Sequence, residues 1–175
     1  MFIVISNGTA SSVRSLLPSD AARQAVRAGQ FAPTFRLRDL HGGNAAMVDL
    51  IGQRALVISF YRGVWCSFCD TVLEAMAGID GQIQDLRATQ VAIGPPPENE
   101  DQSRKLQALP MPVLVDHGLR VARAYGLAIR VLVPATYVID RGGRIVLASI
   151  DTDYRNRLDP AQVLSALRCL RKRHT

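Results

Sequence analysis

The chain has 175 residues, 48 % apolar and 21 % charged, which suits one globular domain with its own core. Three cysteines are too few for a disulfide-stapled miniprotein, or by themselves for a four-cysteine iron–sulfur or zinc centre. The net charge of +6 is local: Arg168, Arg171, Lys172 and Arg173 crowd the C-terminal end, and without them basic and acidic residues nearly balance. No aromatic residues interleave with that basic tail, so nucleic acid is not an expected partner.

Met1–Ala10 is apolar at Phe2–Ile5 but lacks a basic flank and breaks at Ser6-Asn7-Gly8. It makes a poor signal peptide, and a cytoplasmic, reducing compartment is the expectation. No apolar run approaches the roughly 20 residues of a membrane span, so no membrane partner is expected. Residues 1–28 read as an extension with a helix from Asp20 to Ala28, closed by Gly29. Short extended pieces follow near Thr34–Leu37 and Ala46–Val48, separated by Gly42-Gly43.

Ala55–Tyr61 is a continuous β-branched and aromatic run, the mark of a buried central strand. After Arg62-Gly63-Val64-Trp65, apolar Val72, Met76, Ile79, Ile83 and Leu86 recur at spacings of four and three, one helical stripe. Gln90–Ile93 predicts a second buried strand, stopped by Gly94 and three prolines. Helices around Asn99–Ala108 and Gly118–Tyr125 fill the connection to the next strand. Pro134–Asp140 and Arg144–Ala148, joined by Arg-Gly-Gly, predict an antiparallel hairpin. Asp159 and Pro160 supply the N-cap and first position of a last helix. The expected fold is α/β: a mixed sheet sandwiched by helices, with a right-handed parallel crossover in its first half.

The chemistry concentrates in Trp65-Cys66-Ser67-Phe68-Cys69, between the buried strand and the first turn of the helix. Cysteines three apart on one turn come close enough for a disulfide. A thiol at a helix N-terminus faces unpaired amides and the positive dipole end, which favours its thiolate. Cys66 is therefore the expected nucleophile and Cys69, one turn deeper, the resolving partner. The zinc reading fails for want of ligands: Cys169, His41, His117 and His174 are not paired at ligand spacing. No metal and no cofactor are expected. Pro134, at a strand start, is expected to follow a cis bond and present a backbone edge beside the cysteine turn. Arg62 either favours the thiolate or faces solvent, and Trp65 walls the site. Cys169 falls away from the Val163, Leu167 and Leu170 stripe of the last helix, which makes it an exposed thiol. An idle surface cysteine is favoured there over a resolving thiol or a cross-link between two chains of a homodimer.

Phe60–Cys69, Pro134–Asp140 and Asp151–Pro160, with Gly29–Gly42, resemble in order and type the peroxiredoxin-like AhpC/TSA family of the thioredoxin-fold superfamily. The resemblance spans roughly residues 29–167, and residues 29–175 are expected to form the domain. It implies a thioredoxin-like fold and reduction of peroxides or disulfides through cysteine, recharged by a thioredoxin- or glutathione-type reductant. The peroxiredoxin pattern of Pro, Thr or Ser, and peroxidatic Cys falls on Arg62, Cys66 and Cys69; its catalytic Arg, ahead of a Thr-bearing strand, falls on Pro134. The thioredoxin pattern makes Cys66 the nucleophile, Cys69 the resolver and Pro134 the site proline. Arg62, Trp65, Pro134 and Thr136 are the residues expected to shape the site around Cys66 and Cys69. Thioredoxins carry a buried carboxylate near the cysteines, and the strand Ala55–Tyr61 offers none. Three readings stand: a peroxidase in which Cys69 attacks first, an exchange enzyme in which Cys66 does, and a non-catalytic binding module using the Trp65/Pro134 surface.

Overall fold

A computed structural model describes residues 23–63, 67–128, 131–151 and 158–172, the side chains of 67–70 excepted. In chain order its strands are β1 (Arg36–Asp39), β2 (Asn44–Ala46), β3 (Ala55–Phe60), β4 (Ala88–Gly94), β5 (Val113–Val115), β6 (Ala135–Ile139) and β7 (Ile145–Ile150). Its α-helices are α1 (Met47–Ile51), α2 (Ser67–Gly78), α3 (Asp80–Asp85), α4 (Glu100–Gln107), α5 (Arg120–Ala124) and α6 (Pro160–Lys172). The strands form one mixed sheet in the order β2-β1-β5-β4-β3-β6-β7.

The central strand forms where the apolar run predicts it, and all six residues of β3 are buried. β3 pairs in parallel with β4, across the helical crossover, and antiparallel with β6. Strand alternation then divides the core. Leu56, Ile58 and Phe60 face one side with Tyr125, Tyr137 and Ile93. Ala55 and Val57 face the other with Met76, Ile83, Val163 and Leu167. On the first side three aromatic rings lock together: Phe60 to Tyr125 at 4.9 Å, Tyr125 to Tyr137 at 5.2 Å, and Phe60 to Tyr137 edge-on at 6.1 Å.

The predicted single helix after β3 is two. Ile79 leaves helical geometry (φ −107°, ψ 6°) between α2 and α3, where Gly78 lacks helix propensity and Ile79 is β-branched. The stripe survives the break, since Val72, Met76, Ile79, Ile83 and Leu86 all pack in one cluster. Buried Asp80, which accepts from Gln84 Nε2 at 2.6 Å and Gln90 Nε2 at 3.2 Å, ties α3 to β4.

At the N-terminal side, helix persists only through Gln24 among the described residues, not to Ala28. Val26 leaves it because its amide donates to the Tyr125 carbonyl at 3.1 Å. Gly126 makes that approach achievable: it holds φ +71°, and a Cβ there would lie 2.3 Å from the Gln24 carbonyl oxygen. Val48, expected in a strand, is instead in α1, which buries Met47 and Ile51 one turn apart. The last two predicted elements stand. Asp140 Oδ1 accepts from the amides of Gly142 and Arg144 at 2.9 Å each and closes the β6–β7 turn. Asp159 Oδ1 accepts from Ala161 N at 2.9 Å and starts α6. Among the described residues no helix is long and apolar enough to cross a membrane.

Candidate functional site

The β3–α2 junction lies at the edge of the sheet where β3 and β4 end and β6 begins. Tyr61 extends the ladder, its amide donating to the Ile93 carbonyl at 3.0 Å. The Tyr61 ring lies so close over Gly94 that a Cβ at 94 would meet it at 2.4 Å. Burial pushes the Tyr61 phenol well above its ordinary range, and its hydroxyl donates to the Pro95 carbonyl at 3.4 Å. Arg62, half-buried, donates from Nε to the Leu132 carbonyl at 3.1 Å. That bond pins the loop before β6 to the strand end.

α2 begins at Ser67, so Cys66 immediately precedes it and Cys69 is its third residue. Trp65 and Cys66 lie outside the described residues, as do the side chains of Phe68 and Cys69. Position 69 shares a helix face with Val72, Leu73 and Met76, at spacings of three, four and seven, and those three face the sheet. Glu74, on the same helix, is exposed.

Pro134 and Thr136 are buried at the start of β6. The expected cis bond is not there: the structure holds no cis peptide among the described residues, and Val133–Pro134 is trans. The turn is made instead by hydrogen bonds, Val133 N to the Leu127 carbonyl and Asp151 N to the Pro134 carbonyl, both at 2.9 Å. Cys169 is exposed on α6, as its helical position predicts.

Two polar residues at this edge escaped the sequence reading. Ser59 is 2 % exposed, and its Oγ has no hydrogen-bond partner among the described residues. Asp151 is 8 % exposed at the end of β7 and is bonded to Ser149 Oγ at 3.5 Å. Burial raises the Asp151 carboxyl from 3.8 to about 6, with the Ser149 hydroxyl working weakly the other way. The signal was available as alternation: Asp151 stands two residues beyond Ser149 on the same face of an extended strand.

This carboxyl makes stability pH-dependent. Between pH 3.8 and about 6 the folded protein keeps a proton that the unfolded chain has released, so stability falls as pH rises through that window. Asp151→Asn removes the buried charge. It is expected to melt above wild type at pH values higher than about 6, with the gap closing on acidification, as read by calorimetry across that range.

Comparison with known proteins agrees with this architecture. The family model described as AhpC/TSA family matches residues 28–148. The chain is 29 % identical over 125 residues to the thiol-disulfide oxidoreductase ResA of Geobacillus thermodenitrificans, covering 70 % of this chain and 69 % of that protein. It is also 29 % identical over 130 residues to a Mycobacterium tuberculosis protein named as a peroxiredoxin, covering 69 % and 82 %. Among solved structures, Mycobacterium tuberculosis AhpC superposes with a TM-score of 0.71 at 19 % identity, over 83 % of this chain and 93 % of that one. That likeness is one of fold.

Proposed function

Since the chain belongs to the AhpC/TSA family of the thioredoxin-fold superfamily and is a thiol oxidoreductase, we propose that Cys66 and Cys69 are its redox pair and peroxide its oxidising substrate. The observation that carries this reading is the junction itself. A fully buried strand leads to Arg62, half-buried beside the start of β6 where Pro134 and Thr136 are buried, and Cys66 immediately precedes α2 in the sequence.

In the peroxidase cycle the Cys69 thiolate attacks the O–O bond, becoming a sulfenic acid while the departing alkoxide or hydroxide takes a proton. Cys66 then displaces water from that sulfur, leaving the Cys66–Cys69 disulfide. A thioredoxin- or glutathione-type thiol returns two electrons and restores both thiols. A second reading, favoured by the Cys-Ser-Phe-Cys spacing and by Pro134 where a peroxidase would carry arginine, reverses the order. Cys66 attacks a substrate disulfide, and Cys69 then expels the second thiolate to give the same product. Both cycles suit a cytoplasmic, reducing compartment, residues 29–175 acting as the catalytic domain, and Cys169 standing apart from the chemistry.

The test starts from reduced protein carrying Cys169→Ser, given one equivalent of hydrogen peroxide and mapped by peptide mass spectrometry. A Cys66–Cys69 disulfide formed far faster than free cysteine reacts is the expected result. Free thiols after both peroxide and oxidised glutathione would overturn the oxidoreductase reading and leave the binding module.

A further inference from the structure

The end of the sheet opposite the β3–α2 junction carries charge that the cysteine chemistry does not use. There the α3–β4 joint, the β6–β7 turn and the last turn of α6 enclose a hollow of about 30 Å³, floored by Leu86 and Leu167 and rimmed by Arg87, Arg141 and Arg171. Such a volume admits a water or two, or one small oxyanion. β3 starts beside it at Ala55, and the six residues of that strand, about 20 Å of extended chain, separate it from the junction.

Three guanidiniums from three segments repel one another, and only one carboxylate lines the hollow with them. That carboxylate, Asp140, is already engaged, its Oδ1 accepting from the amides of Gly142 and Arg144 at 2.9 Å each. The guanidiniums of Arg87 and Arg141 have no hydrogen bond or ion pair among the described residues. The negative end of α6 accounts for Arg171, which lies in its last turn. It does not account for Arg141, which belongs to a hairpin turn, nor for the conformation of Arg87. Arg87 follows Leu86, the C-cap of α3, and holds φ +57°. Glycine usually fills that left-handed position, because any other side chain is strained there. Arginine is kept where glycine would cap the helix at less cost, and strain of that kind points to a use for the side chain.

Arg141 also lines a second hollow, an apolar groove of about 420 Å³ bounded by Phe31, Val48 and Ile51. Phe31 and Val48 are 64 % and 65 % exposed, two of the three large apolar side chains left open to water among the described residues. Arg144 holds this wall in place, stacking on the Phe31 ring at 4.7 Å and donating to the Gly29 carbonyl at 2.6 Å. A cationic hollow and an apolar groove thus share one arginine.

We propose that this end of the molecule binds a phosphate monoester with an apolar tail, its phosphate on Arg87, Arg141 and Arg171 and its tail along Phe31 and Val48. Guanidinium forks pair their N–H groups with phosphate oxygens, and three arginines from three directions match the three terminal oxygens of a monoester better than the two of a carboxylate. The tail covers apolar surface that water otherwise meets. This is a second site, remote from the cysteines and independent of their role.

The experiment titrates full-length protein with hexyl phosphate, inorganic phosphate and hexanol by isothermal calorimetry, at constant ionic strength set with chloride. Hexyl phosphate is expected to bind about tenfold or more tighter than inorganic phosphate, and hexanol to give no measurable heat. Arg87→Gly relieves the left-handed strain and so melts at or above wild type, yet is expected to weaken hexyl phosphate about tenfold, as is Arg141→Gln. Phe31→Ser removes much of the tail's advantage and leaves the affinity for inorganic phosphate as it was. Equal affinity in wild type and Arg87→Gly, or for hexyl and inorganic phosphate, overturns the proposal. So does sedimentation with phosphatidate-containing vesicles without any response to hexyl phosphate, which would make this face a membrane surface.

Discussion

Serine at position 66 is expected to stop turnover with both peroxide and disulfide substrates, by roughly a thousandfold, about 4 kcal/mol of barrier. The reason is the same in either order of attack. Without a second sulfur beside Cys69 no internal disulfide closes the cycle, and a hydroxyl is no substitute for a thiolate at neutral pH. The two single variants separate the orders. If Cys69 attacks first, Cys66→Ser still consumes one equivalent of peroxide in a burst and accumulates a sulfenic acid on Cys69, whereas Cys69→Ser is inert. If Cys66 attacks first, Cys69→Ser accumulates a mixed disulfide on Cys66, and Cys66→Ser reacts with neither substrate. Full turnover by both variants would remove the pair from the mechanism.

Tyr125→Ala is expected to cost about 3–5 kcal/mol of stability, a fall in melting temperature of about 10 °C or more. Tyr125 is wholly buried between Phe60 and Tyr137, with its hydroxyl 4.0 Å from the Met47 sulfur. The hole left by the ring would undercut Phe60, the last residue of the strand that leads to Cys66. Tyr125→Phe keeps the ring and gives up one weak sulfur contact, so it should stay within about 1 kcal/mol of wild type. Thermal melts of the two variants side by side check the assignment, and an alanine variant melting with wild type refutes it.

Legibility from sequence followed the strength of the local signal. Ala55–Phe60, the hairpin and the Asp159-Pro160 start of α6 each pair a long pattern with clear punctuation, and each stands where predicted. β5, Val113–Val115, is three residues between a proline pair and a glycine, too short to carry a period, and its place in the sheet comes from pairing with β4 and β1. α1 spans five residues and exists because Met47 and Ile51 find a core to enter, a tertiary cause. At the site, the Cys66/Cys69 spacing was plain because it is contiguous. Buried Ser59 and Asp151 were hidden because they belong to segments far apart in the chain that strand pairing through β6 brings to one end of the sheet. Pro134 was misjudged for a related reason, since a turn closed by distant amide–carbonyl pairs needs no isomerised bond.

The seam at Gly126 bears on where this polypeptide can be shortened. The family match starts at residue 28, yet Ala25 is buried, Val26 donates to Tyr125, and Tyr137 Oη donates back to the Val26 carbonyl at 3.4 Å. Trimming to the family boundary would strip those partners from two interior tyrosines and open the aromatic trio to water. The physical unit thus reaches upstream at least to Gln24, and any recombinant version should begin ahead of it.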